Sequence, residues 1–79
     1  MTAPAPAERV AALLADYLGP HTARSAARTF ARAALKVDPE RVRPEDVPRL
    51  SEALRPMLRT LLGTAICADI LGTLAREFP

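Results

Sequence analysis

The chain has 79 residues, a single cysteine and a formal net charge of +2, and 49% of its residues are hydrophobic. A chain of this length forms one domain with a small core, because only about 60% of the surface of so short an unfolded chain becomes buried on folding. The lone Cys67 excludes an intramolecular disulfide and no run resembles a signal peptide, so we expect a cytoplasmic protein. Charged residues interrupt every apolar stretch before the roughly 20 residues of a membrane span, which excludes a spanning helix.

The N-terminal end differs in composition from the rest of the chain. Residues 1–6 are rich in alanine and proline, and we expect them to be a flexible leader, because each proline disfavours helix in the residue before it. Residues 7–79 then form a single helical domain. No internal repeat of a known period is evident in it.

The first helix is predicted from Ala7 to Leu18. Apolar side chains recur there at steps of three and four residues, which is the spacing of one face of an amphipathic helix. Gly19 can take the left-handed conformation that ends many helices, and Pro20 suits the first position of the next helix. The sequence therefore predicts a sharp Gly-Pro corner between helices one and two.

The second helix separates small apolar residues from basic ones. At 100° per residue, its alanines and Phe30 fall on one side and a row of cations on the other. We call these cations the basic row: Arg24, Arg28, Arg32 and Lys36. No Asp or Glu occurs between Asp16 and Asp38, so the basic row is predicted to have no acidic partner nearby. Leu35 alone breaks the separation, and we expect it to face solvent or to form a contact.

Prolines organise the segment that follows. Pro39 and Pro44 each occupy the first position of a possible helical turn, and we expect one short turn in this linker. Helix three begins at about Pro44 or Pro48 and has a leucine-rich face. Pro56 lies inside it and is expected to kink it, because proline removes a backbone hydrogen bond.

The stretch around Gly63 has two interpretations. If helix three continued through it, the later apolar residues would lie about 180° around the axis from the earlier ones and would pack on a second copy of the chain. These candidate interface residues are Ile66, Ile70, Leu74 and Phe78. A break, with Gly63 as C-terminal cap and Thr64 as N-cap, turns both faces towards one core, and we favour it. The predicted fold is thus all-α: a small four-helix bundle with a proline-kinked third helix, which self-associates to support its small core.

Residue sets for catalysis or metal binding are missing from the sequence. Cys67 shares an apolar face with Ile66 and is expected to be a buried structural thiol. His21 lies in the first turn of helix two, and neither Ser25 nor Thr29 has a carboxylate or second histidine within helical reach. One histidine, one thiol and scattered acidic residues do not make a metal site. We expect neither an enzyme nor a cofactor.

One short stretch resembles a known family. Residues 14–35 contain Tyr17-Leu18-Gly19-Pro20 followed by a helix of alanine and arginine. This pattern resembles a small helical Tyr-x-Gly-Pro module of unknown function in bacterial signalling proteins, where it often stands beside kinase, forkhead-associated or receiver domains. The resemblance implies an interaction or regulatory role without catalytic residues.

Three functions are compatible with these features. Helix two has four cations and no acids, while the other seven cations and nine acids sum to −2, so the whole net charge of +2 comes from the basic row. This favours a regulatory protein-interaction module that binds an acidic partner surface through helix two. A small dimeric nucleic-acid-binding regulator is the first alternative. The second is a structural subunit of a larger assembly, and a merely solvated charged face is the simplest explanation of the row.

Overall fold

The structure, a computed structural model, describes residues 5–78. Within this range it has four α-helices and no β-strand, which confirms the all-α class. The helices are α1 (Pro6–Leu18), α2 (Pro20–Phe30), α3 (Val47–Leu62) and α4 (Thr64–Glu77). Of the predicted leader, residues 1–4 lie outside the described range, and Pro6 already belongs to α1.

A single glycine joins the two helices of each pair. Gly19 has φ +86° and ψ 155°, and Gly63 has φ +88° and ψ 165°. The N–H of each glycine donates to the carbonyl four residues before it, and its own carbonyl accepts from the N–H four residues after it, with all four N···O distances between 3.0 and 3.1 Å. This backbone conformation is essentially restricted to glycine. The predicted break at Gly63 is confirmed, although Thr64 is the first residue of α4 and the glycine itself is the N-cap.

The two helix pairs bury side chains at matching distances from their glycines. The pair α1 and α2, here called the first hairpin, buries Ala7, Val10, Leu14, Ala23, Ala26 and Ala27. The pair α3 and α4, the second hairpin, buries Ser51, Leu54, Leu58, Cys67, Ile70 and Leu71 at matching positions, and Val47, Leu50 and Leu74 in addition. Each residue of the first set lies 44 positions before its counterpart in the second. The fold is therefore a structural repeat of two hairpins, which the sequence analysis did not detect.

One core holds the two hairpins together. α1 packs mainly against α2, and α3 mainly against α4. The largest fully buried side chains are Leu14, Leu50, Leu54, Leu58, Ile70 and Leu74. Most of them come from the second hairpin, so the bulk of the core lies there. The Cα radius of gyration of 11.3 Å is close to the value of about 12 Å expected for one compact domain of this length.

α2 ends in a way that the sequence analysis did not predict. It continues into a π-helical turn, Ala31–Leu35, and Lys36 then takes the left-handed conformation with φ 60° and ψ 30°. A π-helical turn holds more residues than an α-helical one, so Leu35 at its end lies at a different angle around the axis from the one that 100° per residue predicts. Leu35 consequently packs against the core.

The segment between the hairpins contains two 3₁₀ turns, Pro39–Arg41 and Pro44–Asp46, where one helical turn was expected. α3 continues through Pro56, and the kink at this residue stays a prediction. The hydroxyl of Thr60 donates to the Pro56 carbonyl oxygen at 2.9 Å. α3 runs on past Pro56 to Leu62, so the proline does not end the helix.

Candidate protein-interaction surface

The basic row is exposed along its whole length, but its backbone is not uniform. Arg24 and Arg28 lie one turn apart on the regular α-helix. Arg32 belongs to the π-helical turn, and Lys36 is the left-handed residue that ends it. Only the two arginines of α2 are therefore held at regular helical spacing.

Arg32 has an acidic partner, contrary to the prediction. Its Nε lies 3.0 Å from Oδ1 of Asp38, in an exposed ion pair. The pair forms because the left-handed Lys36 ends the helix and the chain then turns so that Asp38 lies beside Arg32. Among residues 5–78, no carboxylate oxygen lies within 4.0 Å of the charged nitrogens of Arg24, Arg28 or Lys36.

Arg24 and Arg28 border a groove between the two helices of the first hairpin. We call this the α1/α2 groove, and its volume is about 600 Å³. Its apolar lining consists of small side chains: Ala5, Ala7, Ala11, Ala12, Ala15, Pro20, Ala27 and Pro39. Glu8 of α1 and Glu40 of the first 3₁₀ turn line the same groove. The site is thus an alanine-rich floor bordered by two guanidinium groups and two carboxylates.

The groove follows from the residues that α2 uses to pack. At the positions where α4 buries Cys67, Ile70 and Leu71, α2 buries alanines. In the groove lining, Ala27 of α2 and the four alanines of α1 contribute only methyl groups, which fill little space, so the surface above them stays concave. Glu8, Glu40 and the alanine floor were not among the predicted site residues. The surplus of alanine in both helices was the signal that could have indicated the groove.

The residues that were predicted to form an interface on α4 are mostly buried in the chain's own core. These four residues are Ile66, Ile70, Leu74 and Phe78. Ile70 and Leu74 are 2% and 1% exposed, and the other two pack against the same core. The break at Gly63 turns this face towards the chain's own core, so the predicted interface role does not hold for Ile70 and Leu74. The large apolar side chains exposed in the described range are Tyr17 and Leu61, each two residues before a corner glycine.

The residues considered for chemistry are separate from the groove. Cys67 is buried as predicted, and its thiol donates a weak hydrogen bond to the Arg55 carbonyl oxygen at 3.7 Å. His21 is exposed in the first turn of α2. In the described part of the chain, no three His, Cys, Asp or Glu residues are close enough to hold a metal ion. None of the helices described is both long and apolar enough to cross a membrane.

Comparisons of the chain with protein-family models, with curated proteins and with solved structures give no match. The resemblance of residues 14–35 to the Tyr-x-Gly-Pro module therefore stays a prediction. In the structure, Tyr17 of this stretch is 46% exposed, and Gly19 forms the corner of the first hairpin.

Proposed function

We propose that this chain is a small four-helix bundle that acts in the bacterial cytoplasm as a non-catalytic, regulatory protein-interaction module. The observation that carries the proposal is the pair Arg24 and Arg28, two exposed guanidinium groups beside an apolar groove. The groove offers space to small apolar side chains of a partner. The two arginines would receive the partner's carboxylates through charge-assisted hydrogen bonds, which are stronger than neutral ones.

The combination of charge and groove distinguishes Arg24 and Arg28 from the other arginines. Arg9 and Arg55 each form two hydrogen bonds to one carboxylate, of Glu77 and Glu52 respectively, at 2.6 to 2.9 Å. Arg49, like Arg24 and Arg28, has no ion pair among the described residues, but it does not line the groove. A free cation at the edge of an apolar surface can add both charge and burial to a partner contact.

Nucleic acid fits the groove less well than an acidic protein segment. Glu8 and Glu40 line the same groove as the arginines and would repel a phosphate backbone. A protein partner avoids this repulsion because it can place acidic residues opposite α2 and other residues opposite α1.

The proposal is tested with a fluorescently labelled helical peptide of alanine and glutamate, in which glutamates at four-residue spacing match the arginines. Anisotropy should show binding to the wild-type chain and at least about a tenfold loss of affinity in the R24E/R28E variant. The matched control is R49E/R59E, which changes the net charge equally on exposed α3 positions outside the groove, and we expect it to lose less than about threefold.

Two results would overturn the proposal. Equal losses in both variants would show that the peptide responds only to net charge. Binding of duplex DNA that weakens steeply with salt, without binding of the peptide, would favour the nucleic-acid regulator instead. Circular dichroism of each variant shows whether the helices are retained.

A further inference from the structure

The α1/α2 groove has opposite charges on its two sides. Arg24 and Arg28 stand on α2, whereas Glu8 stands on α1 and Glu40 on the 3₁₀ turn that packs against α1. A uniformly acidic partner would bring like charges together at the two glutamates. The best-matched partner has carboxylates opposite α2 and cations opposite α1.

A second copy of the chain has this arrangement. In a two-fold symmetric interface the same surface patch meets itself. With the axis along the groove, α1 of one copy lies over α2 of the other, and each residue keeps its distance from the corner. Glu8 lies eleven residues before Gly19 and Arg28 nine residues after it, which corresponds to about 16 and 14 Å along the helices. Glu8 of one copy therefore comes level with Arg28 of the other, and symmetry produces this pair twice.

The alanine floor suits the same arrangement. Small side chains allow helices to approach at the short end of the usual 8–10 Å range of interaxial distances. The first hairpin buries mostly alanine, so it gains more than the second from being covered by another copy. Small domains with a limited core commonly obtain additional stability by oligomerising.

We propose that the α1/α2 groove is the interface of a symmetric homodimer, in which α1 of each copy packs over α2 of the other. The inference rests on the proposed function, because it takes Arg24 and Arg28 as receptors for carboxylates. It adds that these carboxylates belong to a second copy. Arg28 of one copy faces Glu8 of the other, Arg24 and Glu40 border the same interface, and the alanine floors lie in contact between the two copies.

Charge exchange between two variants of the full chain tests the dimer. R24E/R28E and E8R/E40R each place like charges across the interface, so each alone should dimerise at least about tenfold more weakly than the wild type in sedimentation equilibrium. An equimolar mixture restores the opposite charges and should recover a heterodimer within about threefold of the wild-type affinity. R49E/R59E is the control and should dimerise like the wild type. Circular dichroism verifies that every variant is folded.

Each outcome separates the dimer from the proposed function. A wild-type chain that is monomeric at about 0.5 mM, which corresponds to less than about 5 kcal/mol of association free energy, overturns the dimer. If that monomer binds the acidic peptide, the interaction module stands and its partner is a different protein. The interface is also overturned if both variants dimerise as tightly as the wild type, or if mixing the two variants does not restore dimerisation. Recovery of the heterodimer supports it, whether or not the peptide binds.

Discussion

The two hairpins share one backbone plan and differ in what they bury. Both turn on a single glycine with φ near +90°, and six buried positions match when they are counted from that glycine. After the corner, α4 buries Cys67, Ile70 and Leu71, whereas α2 buries three alanines. A fully buried Leu or Ile contributes about 1.5–3 kcal/mol relative to an exposed one, and each buried methylene group about 0.8 kcal/mol. The second hairpin therefore supplies most of the burial energy.

The two hairpins therefore have different roles in the fold. The second hairpin fills the core, and the alanine-rich first hairpin leaves a concave surface with charged borders. Substitutions at buried positions of the second hairpin should therefore reduce the free energy of unfolding. Substitutions of Arg24 and Arg28 should instead change binding and leave folding nearly intact, since both side chains are exposed.

The largest expected effect is at Leu74, which is 1% exposed. Leu74→Ala should lower the free energy of unfolding by about 2–5 kcal/mol, because it removes buried methyl groups and leaves a cavity. Leu61→Ala is the matched control: Leu61 is 57% exposed, and its truncation should change stability by less than about 0.5 kcal/mol. Urea unfolding followed by circular dichroism measures both. If Leu74→Ala instead leaves the free energy of unfolding unchanged and abolishes self-association, then α4 forms an interface between copies of the chain.

The two corner glycines should respond alike. Gly19→Ala and Gly63→Ala force alanine into a backbone region that only glycine readily adopts, at a cost of about 1–3 kcal/mol each. No atom outside the neighbouring residues lies within 4 Å of the added methyl group at either corner, so the loss comes from backbone strain and not from a clash. Gly72→Ala, inside α4, is the control and should raise stability by about 0.5–1 kcal/mol. An unequal response of the corners would contradict their equivalence.

Ser51 and Ala7 occupy matching positions in the two hairpins, so the effects of substitutions at these two residues can be compared directly. The Ser51 hydroxyl is buried and has no hydrogen-bond partner in the part of the chain that the structure describes. Removing an unsatisfied buried hydroxyl recovers a desolvation cost of about 1–3 kcal/mol, so Ser51→Ala should raise the free energy of unfolding by about 1 kcal/mol. The reverse change, Ala7→Ser, should lower it by a similar amount. A loss of stability in Ser51→Ala, measured by urea unfolding, would show that the hydroxyl is hydrogen-bonded.

Local signals were sufficient to predict the helices and their corners. Apolar periodicity indicated the helices, and Gly19 and Gly63 marked the turns because so few residues tolerate their conformation. The break at Gly63 then decided where Ile70 lies. A continuous helix would have exposed Ile70, and the break buries it in the chain's own core.

The features that the sequence analysis missed depend on geometry beyond one helix. The pairing of Arg32 with Asp38 requires the left-handed Lys36, and a lysine in that conformation has no sequence signal. The repeat was hidden because alanine in α2 stands where larger residues stand in α4, so the burial pattern is shared while the residue types are not. The groove was missed because it depends on the volume that two neighbouring helices leave between them, which the pattern of a single helix does not show.

The smallest expected effect concerns the ion pair that joins the two hairpins. Glu77 of α4 accepts hydrogen bonds from Arg9 of α1, and these bonds hold the pKa of the Glu77 carboxyl below its ordinary value. A lowered pKa in the folded state stabilises folding at neutral pH, and this contribution disappears as the pH falls through that lowered pKa. Glu77→Gln should therefore slightly lower the urea midpoint at pH 7, and its difference from the wild type should vanish as the pH falls below that lowered pKa.

Glu52→Gln is the matched control for this pair. The pKa of Glu52 is lowered in the same way by hydrogen bonds from Arg55, so both variants should show the same sign of pH dependence. Glu52 and Arg55 are three residues apart on one helix, and such local pairs also form in residual helix of the unfolded chain. The pair between Arg9 and Glu77 joins residues far apart in sequence and exists only when the hairpins are packed. Glu77→Gln should consequently lower the midpoint more than Glu52→Gln, and equal effects would show that this contact adds nothing to the packing of one hairpin on the other.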